Sequence, residues 1–273
     1  MIPPQLKAAG LPRQLTNRVH WIGDCSGRTE LKGLDLHSYM SAYVVAGDDC
    51  SAIVDTGHPK DWAVVTRQLD ELHEHGVPAI RYLIPTHPEI PHSGNLGKLL
   101  RRYPDSTVVG EVRDYALIFP EYADRLVPMA GGAEVDLGNA TLRMVEGVLH
   151  DLEPTTWVYF PEGTTLFVGD GFAYMHEHNE GHCGKVAEEA PTLDIEAFTA
   201  MFAEAALFWT RYTSMGPVIE YLDEFLSRHP CSVIAPGHGL PITDPATMMP
   251  RIRQGLLLGA AGQVTPAGVT RSG

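Results

Sequence analysis

The 273-residue chain is long enough for one large domain or two small ones, and its 44% hydrophobic and 20% charged content are those of a globular protein. A formal net charge of −14 argues against a nucleic-acid or anionic-membrane partner, which would be repelled. The N-terminus lacks the basic and apolar segments of a secretory signal and no apolar run is long enough to span a bilayer, so the expected location is the cytoplasm. The cysteines Cys25, Cys50, Cys183 and Cys231 are scattered without a CxxC pair, and suggest neither a disulfide framework nor a thiolate zinc site.

In chain order, residues 18–23 are a short strand candidate and residues 35–46, with Tyr39, Tyr43, Val44 and Val45, a longer one. Residues 51–57 form a strand ending in a turn, where Asp55 either supports a nearby site or caps the turn. Residues 61–72 carry apolar positions at helical spacing with Gly76 as a stop. A buried strand at 80–85, a helix from about 94 to 102 and a strand at 107–110 follow, an alternation that predicts α/β layers.

Between that strand and helix lie three potential metal donors within six residues: His87, Glu89 and His92. Loops at the C-terminal ends of strands are where α/β folds usually build sites. Donors at i and i+2 on an extended loop can chelate one ion, and the donor at i+5 lies across the turn, placed for a second. Ordinary loop histidines are the competing explanation.

Residues 140–148, 155–160 and 164–168 read as consecutive strands, with His150 just beyond the first and Asp170 just beyond the third. The polar loop 175–184 holds His176, His178 and His182, expected to line the site more than to bind metal. Residues 193–225 predict two helices broken near Gly216 and Pro217. The aromatic residues Trp157, Phe172, Tyr174 and Trp209 suit either an apolar pocket or the core. A last strand, 231–235, runs into Pro236-Gly237-His238-Gly239, and a short helix from 242 precedes a tail expected to be poorly ordered after about 262. Residues 1–245 are expected to form a single domain, and 246–273 a C-terminal helix and tail.

The donor segments His87-x-Glu89…His92, His150, Asp170 and His238, all after strands and in this order, resemble the metallo-β-lactamase fold superfamily over about residues 17–245. The fold this implies is α/β: an αββα sandwich of metallo-β-lactamase type with a dinuclear metal site at one edge of the sheets. Zinc hydrolases of the superfamily carry HxHxDH at the donor loop; Glu89 in place of the second histidine is similar to the HxExDH motif of the flavodiiron and related oxygen-binding diiron branch. The resemblance implies two iron ions, with manganese or zinc as alternatives. His87, Glu89 and His150 would bind one, His92 and His238 the other, and Asp170 would bridge them. An anionic carboxylate in place of an imidazole also favours iron or manganese over zinc on chemical grounds.

Two departures from the branch stand out. Its aspartate before the last histidine is Pro91 here, which leaves the second ion His92, His238 and Asp170, a two-histidine, one-carboxylate set with open positions. About thirty residues follow the last motif, too few for the flavodoxin domain of flavodiiron proteins. Electrons are therefore expected from the substrate or a separate donor protein. The expected function is a diiron oxidase or oxygenase of a small molecule, with Asp170, His92 and His238 at the reacting centre and O2 and substrate as the ligands. The alternatives are a metal-dependent hydrolase of a thioester, lactone or phosphoester, and a non-enzymatic diiron oxygen sensor or carrier. A homodimer is an assembly the sequence allows.

Overall fold

Alternating apolar positions send successive side chains of one sheet into two different cores. The computed structural model describes residues 10–31, 34–177 and 181–263. Its first sheet runs in spatial order through β1 (Arg13–Gln14), β2 (Val19–Leu31), β3 (Leu34–Ala46), β4 (Ser51–Val54), β5 (Ile80–Ile84), β6 (Thr107–Gly110) and β7 (Leu126–Pro128). The second has the order β13 (Val233–Pro236), β11 (Thr165–Gly169), β10 (Thr156–Phe160), β9 (Thr141–Glu146), β8 (Glu134–Asp136). Residues Ile22, Ala42, Val44 and Ile53 face helices α1 (Trp62–Glu74) and α3 (Leu96–Arg102). Their neighbours Trp21, Tyr43, Val45, Ala52 and Val54 face the second sheet. This is the period-2 rule acting on a sheet covered on both sides.

The second sheet is sandwiched in turn, and every residue of β10 and β11 is buried. Its outer face packs on helices α5 (Ile195–Ala205), α6 (Met215–Arg228) and α7 (Pro245–Ala260) through Phe198, Met201, Leu222, Phe225, Ile252 and Leu256. The order of layers is helix, sheet, sheet, helix, as expected. Short helices α2 (Ile90–Ser93) and α4 (Tyr115–Ile118) complete the set. No described helix is long and apolar enough to cross a membrane.

Several elements differ from the sequence expectation. Strand β2 runs to Leu31, far beyond residue 23, because Asp24–Leu31 continues as a hairpin with β3 past a bulge between Asp24 and Gly27. The break between α5 and α6 falls at residues 206–214, with a 3-10 turn at Phe208–Tyr212. Gly216 and Pro217 instead lie in the first turn of α6, where a missing N–H costs nothing. The C-terminal helix is 16 residues long rather than short, despite Pro250 within it. His176, expected on an unsupported loop, belongs to strand β12 (His176–Glu177), which pairs with β3. His178 and the tail beyond 263 lie outside the described residues.

Candidate metal centre

Strands β4, β5, β11 and β13 lie side by side or face to face, and their C-terminal ends deliver the donors to one edge. After β5, Thr86 and His87 are buried, and α2 follows with His92 in its last turn. Pro91 sits in the first turn of α2, and the His92 and Ser93 amides both donate to the Glu89 carbonyl, at 3.0 and 2.9 Å. Asp170 follows β11 and His238 follows β13; the Gly237 amide donates to the Gly169 carbonyl at 2.7 Å and joins the two ends. A Cβ on Gly237 would lie 2.4 Å from His92 Cε1, so only glycine lets that strand end approach the histidine. The same holds at Gly169 (φ 51°), where a Cβ would come within 2.8 Å of Thr86 Oγ1.

The donor atoms of His87, Glu89, His92 and Asp170 lie within 4.8 Å of one another. Asp170 Oδ1 is 3.2 Å from His92 Nε2 and 3.6 Å from His238 Nε2. At the other end, His87 Nε2 is 3.8 Å from Glu89 Oε2 and 3.6 Å from Asp151 Oδ2. The His87 and His92 rings lie 3.9 Å apart and join the two ends. His87, His92, Asp170 and His238 are buried and Asp151 is partly so, while the half-exposed side chain of Glu89 marks the open side.

Supporting contacts fix these rings. His92 Nδ1 donates to Asp55 Oδ2 at 2.8 Å, while Asp55 Oδ1 accepts from the Thr86 amide and Thr86 Oγ1, both at 2.8 Å. Asp55 has φ 59°, a left-handed conformation at a strand end. Of its two expected roles, support of the site and capping of the turn, these side-chain bonds serve the first. His238 Nδ1 donates to the Tyr39 carbonyl at 2.6 Å. In each case Nε2 is left for the centre, the orientation that metal-binding histidines need. Asn95 holds the loop from behind, donating to the carbonyls of Thr56, Gly57 and His58.

The electrostatics follow from burial. Burial opposes charge on His92, but Asp55 and Asp170 on either side hold its pKa well above the usual histidine range. Burial likewise opposes charge on Asp170, yet His238 and His92 keep its carboxyl well below the usual carboxylate range. Burial raises Asp151. The facing His87 imidazole holds Glu89 below the usual carboxylate range.

His87 Nε2, His92 Nε2, Asp170 Oδ1 and Asp151 Oδ1 are buried with no hydrogen-bond partner among the described residues. An unpaired buried polar group costs about 1–3 kcal/mol. The three in the donor group, with Asp151 beside His87, are the arrangement a multivalent cation relieves, so the residues present fit a metal centre.

Two sequence expectations resolve differently at this edge. His150 stands outside the group of four; its Nδ1 donates to the Gly147 carbonyl at 3.0 Å and its ring stacks on Trp209. Asp151, the next residue, turns its carboxylate toward His87. Sequence reading named His150 and passed over Asp151, for which adjacency to His150 was the available signal. Among the aromatic residues, Trp157, Phe172 and Tyr174 are fully buried core, whereas Trp209 donates Nε1 to the His150 carbonyl at the site.

The profile of the Metallo-beta-lactamase superfamily matches residues 39–238. The chain belongs to this superfamily. Within it, the chain is 26% identical over 261 residues to a coenzyme F420H(2) oxidase of Methanothermobacter marburgensis, covering 88% of this chain and 59% of that protein. The rubredoxin oxygen:oxidoreductase of Desulfovibrio gigas superposes with a TM-score of 0.73 at 15% identity, over 90% of this chain and 61% of that one. The flavodiiron protein of Giardia intestinalis gives a TM-score of 0.72 at 18% identity, over 92% and 59%. The chain thus spans about three-fifths of the relatives it matches. These similarities agree with the αββα fold, and the relatives carry the flavodiiron and oxidase names to which the Glu89 motif is similar.

Proposed function

We propose that this protein is a non-haem diiron oxidoreductase that binds and activates O2, oxidising a small molecule or taking electrons from a separate donor. One observation carries the reading: the buried centre combines imidazoles with carboxylates, Glu89 and Asp170 in the tight group and Asp151 at its edge, and contains no thiolate. Hard anionic oxygen donors favour iron over zinc and balance the charge of an oxidised pair. The oxidase and oxygen:oxidoreductase names of the relatives support the same class.

A bound iron pair would supply redox chemistry and open positions for O2. The chain's own residues do the rest. His87 and Glu89, with Asp151, would hold one ion and His92 and His238 the other, with Asp170, which lies between its two histidines, as the carboxylate they would share. His150, which the motif resemblance assigns to the first end, would offer Nε2 there, its Nδ1 being engaged. Asp55 and the Tyr39 carbonyl fix the tautomers of His92 and His238, and the exposed edge at Glu89 is the approach for O2 and a small substrate.

The test is metal analysis of wild-type protein and Asp170→Ala from iron-rich medium. Iron in the wild type, lost in the variant, is expected. Absence of iron, or iron indifferent to Asp170, overturns the reading.

A further inference from the structure

Outside this centre, a second donor cluster stands where β12 closes on β3. Cys25, in the bulged part of β2, and Cys183, beyond β12, are 158 residues apart in sequence, yet their sulfurs are 3.3 Å apart. His176 Nε2 lies 3.2 Å from the Cys25 sulfur and 3.5 Å from that of Cys183. His37, opposite His176 in the β3–β12 register, brings Nδ1 to 3.5 Å from the Cys25 sulfur, while its Nε2 faces Asp35 Oδ1 at 3.7 Å.

We propose that Cys25, His176 and Cys183 hold a structural zinc ion, with His37 in reach as the fourth ligand. Zinc bonds sulfur at about 2.3 Å and imidazole nitrogen at about 2.0–2.1 Å in a tetrahedron, so neighbouring ligands stand about 3.8 Å (S···S) and 3.6 Å (S···N) apart. The observed separations lie within half an ångström of those edges. A disulfide would need the sulfurs at about 2.05 Å. The donor set also selects the ion, because paired thiolates with imidazoles are a zinc set, unlike the oxygen-rich centre nearby. Binding releases the two thiol protons and leaves the thiolates neutralised by the cation.

The position gives the ion a task. His176 is fully buried, and its ring stacks on Tyr39 at 5.4 Å. The Tyr39 carbonyl orients His238, and Tyr39 Oη accepts from the Gly184 amide. A zinc clip therefore pins the segment that leaves Asp170 against β2 and β3, and through Tyr39 steadies one histidine of the metal centre.

The test is cobalt substitution of the whole protein. Thiolate-to-cobalt charge transfer in the near ultraviolet is expected in the wild type; donors such as His87, Glu89 and Asp170 cannot produce it. The band should survive Cys50→Ser and Cys231→Ser and disappear in Cys25→Ser and Cys183→Ser. X-ray absorption on unmutated zinc-loaded protein gives a second readout free of folding effects, with a sulfur shell expected at about 2.3 Å. Cobalt or zinc with nitrogen and oxygen neighbours only, or a Cys25–Cys183 disulfide in mass spectra of protein isolated under air, overturns the proposal. Neither outcome depends on whether the other centre holds iron.

Discussion

Replacing Asp55 by asparagine should loosen metal at the His92 end while leaving the fold in place. Both carboxylate oxygens are used: Oδ1 accepts two bonds from Thr86 and Oδ2 accepts the His92 Nδ1 proton, each at 2.8 Å. Asparagine has one carbonyl oxygen. If Thr86 keeps it, the new amide NH2 faces His92 Nδ1, and the imidazole moves its proton to Nε2. The nitrogen facing Asp170 then has no lone pair for a metal. If His92 keeps the oxygen, the buried Thr86 amide loses its acceptor, at a cost of about 1–3 kcal/mol. Asparagine tolerates the left-handed φ of 59°, so backbone strain does not confound the comparison. Loss of a carboxylate behind a metal-binding histidine costs about 10- to 100-fold in affinity, or about 1.4–2.7 kcal/mol. Chelator competition on iron- or manganese-loaded protein, with circular dichroism as the folding control, measures it. Wild-type affinity in a folded Asp55→Asn variant would refute the supporting role.

Three further outcomes follow from the same geometry. Gly237→Ala puts a methyl into the His92 ring and should cost about 1–3 kcal/mol in urea denaturation, with metal loss in proportion; an unperturbed variant means that the close approach is not needed. Asp151→Ala and His150→Ala should both lower occupancy at the His87 end; full metal content in a folded His150→Ala variant would leave Asp151 as the ligand there. Pro91→Asp should raise occupancy beside His92 and slow any reaction needing an open position, with Pro91→Ala as the backbone control. Identical behaviour of the two variants means that residue 91 acts through the shape of α2.

The fold was legible because both signals that produce it are local. Strands and helices alternating over residues 51–110 announced α/β layers, and helical spacing in 61–72 announced α1. The donor loop was legible for the same reason, since His87, Glu89 and His92 lie within one turn of chain. What sequence reading missed depends on pairing at long range. The outer half of β2 carries Asp24, Ser26, Gly27 and Arg28, no apolar pattern, and is a strand only because β3 folds back along it. Cys25 and Cys183 looked scattered because only the β3–β12 pairing brings them together. Gly216 and Pro217 suggested a break because their chemistry disfavours helix interiors, yet the first turn of a helix tolerates both.

Oxygen uptake by the anaerobically reduced, iron-loaded protein bears most directly on the proposed activity. The wild type should consume O2, faster when a competent substrate or electron donor is supplied, and Asp170→Ala should not. A reduced wild-type protein that leaves O2 untouched while turning over esters, lactones or phosphodiesters would contradict the account and make the centre hydrolytic.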